Sequence, residues 1–178
     1  MRILVDMDGV LADFETAFLE NWLAQHPEKS FVPIEDRQTF YIDEEYPAEF
    51  KPYLYKIFTA QYYYRNLKPI AGGREALHEM EKLGLEVIIC TSPLSDYKYC
   101  VPEKYEWVEE HLGRDWVKKI VLTRDKTLVK GDFLIDDKPE ISGRDTPEWE
   151  HVLYDQPYNR RVSSRKRLTW SNWQVVLL

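Results

Sequence analysis

The chain has 178 residues, with 31 Asp and Glu against 24 Lys and Arg and a formal net charge of −7, which excludes the broad basic surface of a protein that coats nucleic acid but not a small phosphate ester held by a cation. Apolar residues make up 44%, enough for a packed core, yet no apolar run approaches the ~18–20 residues of a membrane span and the chain opens without the n-region, h-region and cleavage site of a secretory signal. The two cysteines, Cys90 and Cys100, are no disulfide framework, so a reduced, cytoplasmic protein is expected.

Ile3-Leu4-Val5 reads as a buried strand. It runs directly into Asp6-Met7-Asp8-Gly9. In open α/β sheets functional groups gather at the carboxyl ends of parallel strands, and side chains two apart on a strand share a face. Two acids so placed repel each other and lose hydration, and a hard cation with oxygen ligands offsets that. A metal-carboxylate site at the tip of the first strand is the first expectation. Apolar residues at Phe14, Ala17, Phe18, Trp22 and Leu23 then predict a helix ended by His26-Pro27. Residues 35–66 are dense in aromatics, lack strand alternation and read as short helices punctuated by Pro47 and Pro52.

After Pro69-Ile70-Ala71-Gly72-Gly73, helical spacing of Ala76, Leu77, Met80 and Leu83 predicts a helix over 75–83, stopped by Gly84. Residues 85–90 read as a second buried strand running into Thr91-Ser92-Pro93, with Cys90 a small buried hydrophobe. A helix over 105–112 stops at Gly113, and strands follow at 120–122, 133–135 and 151–154. A terminal helix is expected from Ser171, which could cap it. Strands alternating with helices predict an α/β fold with a doubly wound parallel sheet and helices on both faces. The helical region 15–67 falls between the first two core strands, as a lid would. The core then comprises 1–14 and 68–178.

Four signals lie at predicted strand ends: Asp6 with Asp8, Thr91 with Ser92, Lys126, and Asp136 with Asp137. Together they offer a nucleophile, a proton donor, hydroxyl donors, a cation and an acid pair for a metal. That inventory suits phosphoryl transfer, which depends on positioning and charge stabilisation. The basic run from Arg160 to Arg167 reads as a solvated face, the tryptophans as packing, and His78, His111 and His151 as structural.

This ordered set resembles the haloacid-dehalogenase superfamily, whose Rossmann-like fold carries a helical cap after the first strand. The stretches 5–14, 91–93, 103–109, 122–127, 134–138 and 147–151 resemble, more narrowly, the 5′(3′)-deoxyribonucleotidases. That resemblance implies a magnesium-dependent phosphatase acting on deoxyribonucleoside monophosphates. Asp6 is then the nucleophile that becomes an aspartyl-phosphate, and Asp8 the acid and base. Mg²⁺ is held by Asp6, the Asp8 carbonyl and Asp137, with Asp136 supporting. Thr91 and Ser92 bind phosphate, and Lys126 neutralises it. Phe14, Phe40, Tyr41 and Ile42 enclose base and sugar, with Phe58 beside them, and the protein is a homodimer. One departure stands out: the human-type enzymes carry a second lysine where this chain has Ser95, with Lys98 nearby. Two other readings compete. One is a related phosphatase for another small phosphate ester. The other is a phospho-acceptor module, disfavoured by Asp8 and by the lid, or a catalytically silent nucleotide-binding protein, disfavoured because every expected catalytic group is present.

Overall fold

The computed structural model describes residues 1–178. Strand β1 (Arg2–Val5) lies deep in the sheet, with Ile3, Leu4 and Val5 fully inaccessible. It lies between β2 (Glu86–Thr91) and β4 (Phe133–Asp136), parallel to both, and Val5 is in register with Ile89 and Ile135. With β3 (Ile120–Leu122), β5 (Glu150–Tyr154) and β6 (Arg167–Leu168), the sheet is entirely parallel in the order β3-β2-β1-β4-β5-β6. The chain winds outward from β1 to β3 and then crosses to β4. The loops leaving β1 and β4 therefore diverge, and a crevice opens where the winding reverses.

The predicted alternation is observed, with one difference in how the sheet is covered. The buried apolar side chains of every α-helix belong to one cluster of 32 residues, which includes Ile3, Val5, Ile89, Ile135 and Val152. The opposite face holds Leu4, Cys90, Leu134 and Trp149, with Ile88, Val129 and Ile141 packed against them. Helices thus cover one face, while irregular connections cover the other.

Between β1 and β2 the chain carries α1 (Phe14–Gln25), three short 3₁₀ turns and α2 (Lys51–Phe58), without a strand. Asp13 caps α1 by accepting from the Thr16 amide at 3.1 Å. The aromatics of this segment mostly form its own core. Phe18, Trp22 and Tyr46 are buried with rings 5.2–6.3 Å apart. Helix α3 (Gly73–Lys82) ends at Gly84, whose φ of +78° is the left-handed stop expected there.

Helix α4 (Tyr97–Leu112) starts eight residues before the predicted position 105 and runs through Pro102. Long-range contacts anchor its middle to the inserted segment. The Glu103 carboxylate accepts from the amides of Tyr62 (2.5 Å) and Tyr64 (3.0 Å), and Trp107 donates to the Leu67 carbonyl at 2.7 Å. A short α5 (Arg114–Val117) precedes β3. The terminal α6 (Trp173–Leu177) begins after Asn172, not Ser171. The Ser171 hydroxyl pairs with that of Thr169 (2.8 Å) and caps nothing. No helix is long and apolar enough to cross a membrane.

Candidate active site

Asp6 leaves β1 with its amide donating to the Ile135 carbonyl (2.9 Å), which seats it at the sheet rim beside the end of β4. The chain then closes a tight loop in which the Met7 carbonyl accepts from the amides of Leu11 (2.8 Å) and Ala12 (2.9 Å). Gly9 turns this loop with φ +73°. A Cβ there would lie 2.5 Å from Asp137 Oδ2, so only glycine lets the loop approach the second acid pair so closely.

Lys126 opens a 3₁₀ turn capped by Asp125, which accepts from the Thr127 amide at 3.1 Å. Its ammonium is buried and lies 2.8 Å from Asp6 Oδ1 and 2.5 Å from Asp136 Oδ2. Burial works against the charge, but Asp136 and Asp6 outweigh it and hold the ammonium well above its ordinary pKa. Asp136 accepts the Lys138 amide on its other oxygen (2.9 Å), so both its oxygens are engaged. Burial pushes its carboxyl up to about 6 despite Lys126.

Asp137 is raised further, by burial and then by Asp136 and Asp6. Its Oδ2 accepts from the Tyr158 hydroxyl, while its buried Oδ1 has no hydrogen-bond partner. Carboxylate oxygens of Asp6, Asp136 and Asp137 all lie within 4.8 Å of one another. Three clustered acids, one with an orphaned oxygen, are a donor set for a hard divalent cation. Asp8 contributes no carboxylate oxygen to this cluster.

On the other side of Asp6, Asp8 is paired with a residue that sequence reading missed as a site residue. Lys104 of α4 reaches Asp8 Oδ2 at 2.6 Å and donates to Thr91 Oγ1 at 2.9 Å, with its ammonium 5.2 Å from the Tyr64 ring centroid. Loss of hydration raises the Asp8 carboxyl, Lys104 opposes that, and Asp6 adds to it. A signal for Lys104 was available. Cys100, Glu103, Lys104, Trp107 and Val108 are the buried face of α4, and a lysine at a core position needs a buried anion.

Thr91 ends β2 and is buried at the rim, whereas Ser92 just beyond it is exposed. Where the resemblance leads one to expect a lysine, the Ser95 hydroxyl accepts from the Arg124 guanidinium at 3.1 Å, so a cation still stands there. Lys98 lies over the Tyr99 ring, not in the site.

The aromatic candidates divide. Phe14 packs on Tyr63, Phe58 and Tyr64, ring centroids 5.4–6.2 Å away, on the Lys104 side. Phe40 meets Tyr158 edge-on at 5.9 Å, on the Asp137 side. Tyr41 is half exposed, and its hydroxyl accepts from Lys138 at 3.0 Å. Ile42 is only 6% exposed and packs into the core of the inserted segment, which leaves it little surface for a ligand.

The whole chain, residues 1–178, matches the family model described as 5′ nucleotidase, deoxy (pyrimidine), cytosolic type C protein. A Bordetella pertussis protein provisionally described as a 5′(3′)-deoxyribonucleotidase is 51% identical over 177 residues, 99% of this chain and 95% of that one. The cytosolic 5′(3′)-deoxyribonucleotidase of Homo sapiens is 45% identical over 187 residues, 99% of this chain and 93% of its own. In fold, the chain is similar to a HAD family hydrolase from Deinococcus radiodurans R1, with a TM-score of 0.59 at 13% identity over 99% of this chain and 94% of that one.

Proposed function

The chain belongs to the cytosolic type C deoxyribonucleotidase family and is a nucleotidase, and on that premise we propose that it hydrolyses deoxyribonucleoside monophosphates of the dUMP or dTMP kind through an aspartyl-phosphate on Asp6. The observation that carries the reading is the buried lysine joining two acids from different strands, Lys126 between Asp6 and Asp136. A carboxylate can attack a phosphate dianion only where neighbouring positive charge offsets their repulsion. Lys126 offsets it from one side, its ammonium 2.8 Å from the attacking carboxylate.

The residues also fit a divalent cation, because the three acids carry more negative charge than Lys126 balances and Asp137 Oδ1 has no partner. Asp6, Asp137 and the Asp8 backbone carbonyl would hold Mg²⁺, with Asp136 fixed behind them by Lys126. When bound, Mg²⁺ supplies further screening between carboxylate and phosphate.

The chain's own residues perform the rest. An Asp6 oxygen attacks phosphorus, and the P–O bond to the sugar breaks as Asp8 delivers a proton to the leaving oxygen. Asp8, now a carboxylate, takes a proton from water, which attacks the phospho-aspartate and restores Asp6. Thr91 and Ser92 serve as phosphate ligands, joined here by Lys104 as the second cation. Residues 15–67 serve as the lid, whose Phe40 and Tyr41, with Phe14 at its hinge, present apolar surface to base and sugar, and Ile42 supports them from the core. The reading includes a cytoplasmic setting, with which the buried free thiols Cys90 and Cys100 agree, and a homodimer.

Phosphate release from a panel of nucleotides and sugar phosphates, with Mg²⁺ and with EDTA, tests it. Deoxyribonucleoside monophosphates should head the panel, EDTA should abolish release, and Asp6→Asn should be near inactive. Comparable release by Asp6→Asn would refute the nucleophile assignment. A preference for sugar phosphates would move the protein to a different substrate.

A further inference from the structure

Arg37 belongs to no motif and touches none of the catalytic acids, yet it is the one buried arginine of the chain and lies in the lid. Its guanidinium is 3% exposed and sits between two carboxylates, paired with Glu15 and, at 3.1 Å, with Glu45. The same group donates to the carbonyls of Thr39 (3.0 Å) and Phe40 (3.4 Å). Glu45 completes the arrangement from the other side, its Oε1 accepting from the Gln38 amide at 2.6 Å and the Thr39 hydroxyl at 3.1 Å. The guanidinium also lies 5.4 Å from the centroid of the Tyr158 ring, the ring that Phe40 meets edge-on and whose hydroxyl donates to Asp137.

These contacts have a direction. Glu15 is on α1, one residue after Phe14, and Tyr158 belongs to the core. Arg37 therefore ties the backbone of residues 38–40 to the Phe14 helix and to the wall of the metal-side pocket together. An irregular loop has no ladder of its own to hold it, and a planar guanidinium with five donors is suited to fix several acceptors at once. Burial of three charges for packing alone is unfavourable against apolar residues of the same volume.

We propose that Arg37, clamped by Glu15 and Glu45, is a positioning residue that sets the Phe40–Tyr41 segment at the distance a nucleoside needs, and so governs recognition of the base and sugar but not of the phosphate. The proposal rests on the reading of Phe40 and Tyr41 as nucleoside contacts. It predicts a split between two ligands of the same pocket.

The test compares wild type with Arg37→Met and Arg37→Lys, using dUMP as substrate and inorganic phosphate as competitive inhibitor. In Arg37→Met the KM for dUMP should rise about tenfold or more with kcat changed less than about threefold, the pattern of lost uniform binding. The inhibition constant of phosphate should stay within about twofold of wild type, because the contacts of Arg37 are with Glu15, Glu45, Thr39, Phe40 and the Tyr158 ring and not with Thr91, Ser92, Lys104 or Lys126. Arg37→Lys keeps the charge but not the fork and should fall between the two. If Arg37→Met does not fold, the triple variant Glu15→Gln/Arg37→Met/Glu45→Gln removes the three charges together and carries the same expectation. An unchanged KM for dUMP, or a phosphate constant that rises in step with it, overturns the proposal. A wild-type enzyme that does not prefer dUMP to glycerol 2-phosphate instead defeats the nucleotide reading, an outcome visible before any variant is made.

Discussion

Replacing Lys104 by Met tests whether the missed cation holds the site together. The ammonium is buried and lies 2.6 Å from Asp8 Oδ2. Two unit charges at that separation attract by about 6 kcal/mol at an effective dielectric of ~20. Desolvation offsets much of this, and removing one partner of a buried pair costs about 3–5 kcal/mol because the other charge is stranded. The Asp8 side chain keeps 26% of its surface exposed, so water can return to it and the lower figure, about 3 kcal/mol, applies. In a domain of this size each kcal/mol moves the melting temperature by about 2–4 °C, so Lys104→Met should melt about 6–12 °C below wild type. Calorimetry in EDTA, with Asp8→Asn and the double variant Asp8→Asn/Lys104→Met alongside, measures the coupling. The double variant strands no charge and should recover about half of the loss or more. A single variant melting within about 2 °C of wild type, or a double variant no more stable than Lys104→Met, would show that the pair does not carry this stability.

Two further outcomes follow from the site's surroundings. Tyr158→Phe removes the hydroxyl that engages Asp137 Oδ2 and should weaken Mg²⁺ binding about tenfold, since partners of a metal ligand typically contribute that much; titration calorimetry without substrate reads it, and an unchanged affinity would place Tyr158 outside the metal's support. His151, buried with neither ring nitrogen paired, is held down to about 4 by burial first and then by the Arg165 and Lys126 charges. The unfolded chain takes up that proton from about pH 6.5 downward while the native state does not, so stability falls as pH drops from about 6.5 towards 4, by up to ~3 kcal/mol. His151→Leu should flatten that part of the stability curve, and parallel curves for the two proteins would rule the histidine out as its source.

Much of the fold was legible because it is written locally. A run such as Ile3-Leu4-Val5 can only be buried on both faces, and acids directly after it can only sit at a strand end. The same logic holds for Ile135 before Asp136 and Asp137, and for Thr91 after the 85–90 run. These positions meet because parallel strands in register bring their carboxyl ends to one rim. The misses are of another kind. The two-residue β6 has too few side chains to show a period, and its pairing with Leu153 and Tyr154 is what makes it a strand. The first turns of α4 were hidden by Pro102, which local propensity reads as a break, whereas Glu103 and Trp107 are anchored to residues of the inserted segment some 40 positions away.

The sequence by itself determined the parallel α/β architecture, the order of the acids and hydroxyls, and the family resemblance that names their chemistry. Only the tertiary structure decided that Lys104 pairs with Asp8, that the Tyr158 hydroxyl donates to Asp137, that Arg37 binds the Phe40 loop and that Ile42 is buried in the core. Each of those is a pairing of charges, donors or apolar surfaces whose partner lies far along the chain. The energy of such a pairing depends on separation and burial, which a string of residues does not contain until the sheet has brought them together.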